Sequence, residues 1–257
     1  MFAAMNDVTP GNSEINGAAA PIGAVAMVMP RLDYPAPNFE AQSTHGLLKL
    51  SDFAGRWLIL FAHPADFTPV CTSEIVSFGR ASEQFAALNC RLLGLSVDSV
   101  YSHLAWRENI REHFGVSIDF PIIDDVSLEI SRRYGMVDAQ GAQAGDVRAL
   151  FIIDPDGVLR AMLYYPPTTG RSVSEVLRLL QALQIADREG VVTPEGWQPG
   201  QDTVEPAPKT VEAAEKRRNV GLGCVDWYYY KRPAAQAAEA AESAHRCPQC
   251  GGLVPQS

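Results

Sequence analysis

The chain is predicted to fold as an α/β domain with a mixed central sheet flanked by helices. Short apolar runs alternate with stretches of helical periodicity, and a turn signature joins two of the later runs with no helix between them. Trp57 to Ala62 is an unbroken apolar run, as expected of a strand buried on both faces. Ile75, Phe78, Phe85 and Leu88 then recur at helical spacing, so a helix follows that strand. Leu92 to Val97 reads as a second buried strand and Tyr101 to Phe114 as a second helix. Phe120 to Ile123 is a short strand leading to a helix over Val126 to Tyr134. Arg148 to Asp154 and Val158 to Tyr164 are strands joined by Pro155-Asp-Gly157, a hairpin turn. Val173 to Ala186 is an amphipathic helix that turns Val176, Leu179, Leu180 and Leu183 inward.

Composition bounds what such a domain can be. At 257 residues the chain can bury a substantial core, and its net charge of -9 argues against an electrostatic nucleic-acid binder. No apolar run reaches the roughly 18 residues of a membrane span, and the first thirty residues have no basic segment ahead of their apolar stretch. Residues 1–30, with little charge and no sustained periodicity, read as a mobile extension, and residues 31–186 as the core domain. Residues 187–233 form a Pro-, Gly- and charge-rich extension ending in an aromatic cluster, expected to pack on the core or on a second subunit. Residues 234–257 are an Ala-rich tail with a Cys-x-x-Cys motif. Five cysteines are an odd number and too few for a disulfide scaffold, so redox or metal chemistry in a reducing, cytoplasmic setting is the expectation.

Cys71 is the most informative residue, in the run His63-Pro-Ala-Asp-Phe-Thr-Pro-Val-Cys-Thr-Ser-Glu74. Pro69 suits the first position of a helix and Thr68 is a preferred N-cap type, which places Cys71 in the first helical turn. Amide dipoles there favour negative charge, so the thiol is placed to react as a thiolate. A reactive cysteine at a helix N-terminus directly after a strand, in this element order, reads as a thioredoxin-like α/β fold. The alternative for Cys71 is a buried structural thiol.

The Pro64-x-x-x-Thr68-x-x-Cys71 pattern, with Arg148 opening a later strand, resembles the peroxiredoxins. His63 before the proline, the segment Tyr165-Pro-Pro-Thr-Thr-Gly-Arg171 and a Cys-x-Asp-Trp segment resemble the one-Cys branch and its archaeal relatives. The resemblance runs from about Arg31 to Pro233. It implies a thiol peroxidase that reduces hydrogen peroxide and alkyl hydroperoxides through a sulfenic acid on Cys71. It gives Thr68 a hydrogen bond to peroxide oxygen, Pro64 the role of pocket wall, Arg148 that of thiolate and transition-state stabiliser, and Glu74 and Arg171 that of holding Arg148. Elementary chemistry agrees: displacement at oxygen expels an alkoxide or hydroxide, so a cation and aligned donors belong where that charge develops. No cofactor is implied beyond a thioredoxin-, glutaredoxin- or glutathione-type thiol reductant, and the expected assembly is a homodimer or a ring of dimers. Mammalian one-Cys relatives carry a Gly-x-Ser-x-Gly segment linked to phospholipase activity. This chain has Ser51-Asp-Phe-Ala-Gly-Arg-Trp57 instead, and that activity is not carried over.

Other candidates stay open at this level. His63 is either a core histidine or a donor near the pocket, and Arg171 either a solvated side chain or a support for Arg148. Cys90 reads as structural. Cys224 is a candidate resolving thiol or a space-filler beside Trp227, since Tyr230 stands where two-cysteine relatives carry the second thiol. In the tail, Cys247 and Cys250 form either a dithiol relay or, with His245, part of a zinc site, or serve no function; a tetrahedral site needs four ligands and only three are near. Competing functions are a disulfide oxidoreductase acting through that tail and a peroxide-sensing or holdase oligomer.

Overall fold

The computed structural model describes residues 29–137, 147–221 and 223–234. The N-terminal extension up to residue 28 and the tail from residue 235, including His245, Cys247 and Cys250, lie outside the described residues. Ten strands are described: β1 (Glu40–Ser43), β2 (Gly46–Lys49), β3 (Trp57–Ala62), β4 (Cys90–Ser96), β5 (Ile122–Asp124), β6 (Arg148–Ile153), β7 (Leu159–Tyr165), β8 (Thr203–Val204), β9 (Cys224–Asp226) and β10 (Tyr229–Arg232). The helices are α1 (Pro69–Ala87), α2 (Val100–Phe114), α3 (Glu129–Arg133), α4 (Val173–Glu189) and α5 (Val211–Arg218), with a 3-10 turn over Leu50–Phe53.

The main sheet has the order β2-β1-β5-β4-β3-β6-β7. β3, β4 and β5 run parallel, joined by the α1 and α2 crossovers, whereas β6 returns antiparallel to β3 and pairs antiparallel with β7. The sheet is therefore mixed, as the element order predicted. β3 is central because both its faces are apolar. Trp57, Ile59 and Phe61 pack on one side with Ile75, Phe78 and Phe85 of α1, Trp106 and Ile110 of α2 and Val176 and Leu180 of α4. Leu58, Leu60 and Ala62 pack on the other with Phe39, Ile130 and Tyr134. The first side is anchored by the Phe61 and Phe78 rings, stacked at 4.2 Å.

The predicted hairpin forms at Pro155-Asp-Gly157. The Asp154 carboxylate accepts from the amides of Asp156 and Val158 at 3.0 and 2.9 Å, and Gly157 takes φ 80. The helix expected over Val126 to Tyr134 is only Glu129–Arg133. Leu128 is left-handed (φ 60), and the Asp125 carboxylate captures the Ile130 and Ser131 amides, so the helix begins later than its apolar pattern implies. The β1–β2 hairpin was not anticipated: its residues are half-buried or exposed except Ser43, too polar a run to be read as a strand.

Nor was the three-stranded sheet β8-β10-β9, into which the aromatic segment folds. Trp227 and Tyr228 meet edge to face at 5.6 Å, and Tyr228 stays 55% exposed within the chain. No helix among the described residues is long and apolar enough to cross a membrane.

Phe78 lies fully buried in the centre of this packing. Phe78→Ala should cost about 3–5 kcal/mol in urea denaturation, while Tyr101→Ala, at a site 80% exposed, should stay within about 0.5 kcal/mol.

Candidate active site

The end of β3, the first turn of α1 and the start of β6 converge because β3 lies beside β6 and α1 crosses over directly from β3. Pro69 opens α1 after Thr68, which stands at the N-cap with extended dihedrals, as predicted. Thr68 does not cap with its side chain. Its hydroxyl donates to the Ala65 carbonyl at 2.9 Å, which leaves the oxygen lone pairs as acceptors. Its carbonyl accepts from the Thr72 amide and hydroxyl at 2.9 and 2.7 Å, tying the helix start together.

Cys71 follows in the first turn and is fully buried. The Arg148 guanidinium reaches it from the first residue of β6, Nη1 lying 3.3 Å from Sγ. The same nitrogen donates to Glu74 Oε2 at 2.8 Å, and Nε and Nη2 both donate to the Pro167 carbonyl, at 3.0 and 2.8 Å. Three fixed acceptors thus orient the fork of Arg148.

Glu74, one helical turn after Cys71, also binds Arg171. Oε1 accepts from the Arg171 amide and Nε at 2.7 and 2.8 Å, and Oε2 accepts from Nη2 at 2.8 Å. Arg171 Nη1 donates to the Ala149 carbonyl, next in β6 to Arg148, at 2.6 Å. Burial alone would raise the Glu74 carboxyl, but the hydrogen bonds and charge of Arg171, with Arg148 behind, hold it below the usual carboxylate range. Of the two readings of Arg171, the solvated one is wrong: it is buried, because Gly170 lies close over Val70 and Glu74 and brings the segment down onto α1.

His63, just past β3, is buried and donates through Nε2 to Asp66 Oδ1 at 2.8 Å. Asp66 Oδ2 is shared with Nδ1 of His103 on α2, at 2.7 Å. Pro64 and Thr68 are half-buried at the mouth of this loop. Burial pushes the Cys90 thiol up to about 12, which suits a structural role. Cys224 is half-buried in β9, its Sγ 3.3 Å from the Arg217 carbonyl and 3.4 Å from that of Asp226, either of which its single S–H can meet.

The sequence reading had no hold on the Pro167 and Ala149 carbonyls, on Asp66 or on His103. The carbonyls carry no residue signature. His103 did carry one: it shares a helical face with Trp106 and Ile110, an odd place for an unpartnered histidine.

Residues 32–162 match the AhpC/TSA family model, and residues 182–219 match the model of the C-terminal domain of 1-Cys peroxiredoxin. A peroxiredoxin of Aquifex aeolicus is 52% identical over 215 residues, covering 79% of this chain and 97% of that one. The chain belongs to the peroxiredoxin family. A peroxiredoxin of the archaeon Thermoplasma volcanium is 46% identical, over 77% of this chain and 96% of the relative. Among solved structures, a yeast mitochondrial 1-Cys peroxiredoxin superposes with a TM-score of 0.71 at 38% identity, over 79% of this chain and all of the other. Peroxiredoxin 6 of Arenicola marina superposes with a TM-score of 0.69 at 34% identity, over 80% and 99%. As a peroxiredoxin, the chain is a thiol-dependent peroxidase with a thioredoxin fold.

Glu74 balances two buried guanidinium groups. Glu74→Gln leaves both uncompensated and should cost about 3–5 kcal/mol in denaturation. Because the folded carboxyl is held below its ordinary value of 4.5, the Glu74 contribution is fully present above that pH. It is lost as the pH falls through the folded value, so the stability gap between wild type and Glu74→Gln should narrow only below about 4.5.

Proposed function

We propose that Cys71 is the peroxidatic nucleophile, acting on hydrogen peroxide and alkyl hydroperoxides. The observation that carries this is the 3.3 Å approach of Arg148 Nη1 to Cys71 Sγ, with the guanidinium fork held by Glu74 and Pro167. Arg148, Arg171 and Glu74 together bear one net positive charge, which a Cys71 thiolate offsets in a dry site. The thiolate attacks the distal peroxide oxygen, an S–O bond forms as the O–O bond breaks, and the leaving alkoxide or hydroxide takes a proton. Sulfur gives up two electrons and becomes a sulfenic acid.

Thr68 accepts a hydrogen bond from the bound hydroperoxide, since its own proton is spent on Ala65. Arg148 then faces the charge that grows along the breaking bond, Pro64 walls the pocket against water, and Glu74 and Arg171 keep Arg148 in place. Preorganised donors of this kind contribute about 10²–10³ in rate each.

Sulfenic acid returns to thiol by condensing with a reductant thiol, releasing water, and by exchange with a second thiol. A thioredoxin-, glutaredoxin- or glutathione-type partner supplies both electrons, and the sulfur chemistry calls for no further redox group. The 1-Cys peroxiredoxin neighbour from yeast is resolved via glutathione and thioredoxin systems, which supports this choice. Cys224 is a second candidate for the first thiol. The chain works as a homodimer in a reducing, cytoplasmic setting. The half-buried edge strand β7 has no outer neighbour among the described residues, and Phe67 and Phe114 stand exposed beside the start of α1, so both surfaces are open to a second copy.

Cys71→Ser should abolish peroxide consumption; retained turnover would overturn the assignment. Thr68→Val should lower the second-order rate with peroxide about 10²-fold, the scale of a misplaced reactant, while Thr68→Ser keeps most of it, measured by stopped flow. Peptide mapping after one equivalent of hydrogen peroxide should find trapped sulfenic acid on Cys71 when reductant is withheld. A Cys71–Cys224 disulfide in place of it would make Cys224 the resolving thiol.

A further inference from the structure

The loop from His63 to Thr68 is the one segment that both carries Thr68 and delivers the chain into Cys71, and it holds a strained residue. Phe67 has φ 55, a left-handed conformation that a bulky side chain adopts only when its surroundings force it, and its ring is 55% exposed. Packing of Phe67 therefore does not supply the force. Its neighbour Asp66 does. The Asp66 amide donates to Asp98 Oδ2 at 2.8 Å, and Asp98 is itself held by the Ser96 hydroxyl at 3.0 Å. The Asp66 carboxylate binds both His63 Nε2 and His103 Nδ1, and all three side chains are almost completely buried.

Counting protons decides what this trio is. His103 Nδ1 meets a carboxylate oxygen at 2.7 Å and His103 Nε2 meets the Ile123 carbonyl at 3.2 Å. Neither acceptor can donate, so both ring nitrogens must. His63 differs: Nε2 meets Asp66, but Nδ1 is buried with no partner among the described residues. A proton on that nitrogen would be an orphaned charged donor in the core, so His63 is neutral with its proton on Nε2. Burial, only partly opposed by the Asp66 hydrogen bond, lowers the His63 ring in the same sense, with His103 and Arg171 adding to it. Burial would raise the Asp66 carboxyl, yet hydrogen bonds from His103 and His63 keep it far below the usual range. The closest approaches, 2.8 and 2.7 Å, are hydrogen-bond distances.

We propose that His103 is a buried imidazolium sharing the Asp66 carboxylate with a neutral His63, and that this clamp positions the Thr68–Cys71 loop for attack on peroxide. Asp66 and His103 are positioning residues: they do not touch the sulfur network of Arg148, Glu74 and Arg171, which stands on α1, β6 and the segment before α4. The clamp acts instead on the other wall of the site, where Thr68 follows Asp66 after the single strained residue Phe67. The role in peroxide attack rests on the peroxidase reading of Cys71; the protonation pattern does not.

The test has two arms. In wild-type protein labelled with ¹⁵N at histidine, one ring should show two protonated nitrogens at neutral pH and another a single proton on Nε2, the first signal vanishing in His103→Gln. A neutral His103 or a charged His63 would overturn the proposal, and this arm does not depend on peroxidase activity. In the second arm, Asp66→Asn and His103→Gln should lower the rate of Cys71 oxidation by hydrogen peroxide by about 10²-fold, the scale of a small misplacement near reacting atoms. Alkylation of Cys71 by iodoacetamide should stay equal or rise, because the Arg148 network is untouched. An unchanged peroxide rate, or loss of both reactions together, would overturn the positioning role. Absence of any peroxide reaction in wild-type protein would instead count against the peroxidase reading while leaving the first arm intact.

Discussion

One buried carboxylate between two buried guanidinium groups is the constraint on which the rest of this molecule depends. Glu74 takes four donor contacts, one from Arg148 Nη1 at 2.8 Å and three from the amide, Nε and Nη2 of Arg171 at 2.7–2.8 Å. Such a group is tolerable in a core only if every donor and acceptor is met, and here the carbonyls of Pro167 and Ala149 complete the set. The consequence is geometric. Three segments remote in sequence, α1, β6 and the chain leading into α4, cannot separate without stranding a charge, so the sulfur of Cys71 stays opposite Arg148.

The sheet serves that constraint. β3 is apolar on both faces and therefore central, which puts α1 against one face and β6 at its side, and brings the first turn of α1 over the first residue of β6. In the proposed cycle the excess positive charge of the cluster faces the sulfur before peroxide arrives. The electrostatic work is then done by folding rather than at the moment of reaction. The family membership of the chain fits this division: the framework is shared over nearly the full length of its relatives.

A second polar cluster stands on the other side of the same loop. His63, Asp66 and His103 tie β3, the loop and α2 together, where the Arg148 network ties α1 to β6. The two clusters grip the loop from opposite directions and differ in how they can respond. Arginine and a strongly ionised carboxylate hold their charges across the working range of pH, whereas histidines can exchange protons.

Much of this was legible in the residues. Apolar runs and helical spacing placed β3, α1, β4, α2, β6, β7 and α4, and the Thr68-Pro69 pair placed Cys71 in the first turn of its helix, because these are local effects of side-chain pattern and backbone preference. Polar or irregular elements were not legible: the β1–β2 hairpin and the small sheet β8-β10-β9 are held by cross-strand pairing that no single segment announces. The motif named Cys71, Thr68, Arg148, Glu74 and Arg171 together, but whether Arg171 was solvated or buried depended on how Gly170 docks on α1. The carbonyls of Pro167 and Ala149 and the sharing of Asp66 by two histidines were decided by the tertiary structure alone. Sequence determines which groups a chain owns; which donor meets which acceptor is set by distances between segments that only the packed sheet brings within reach.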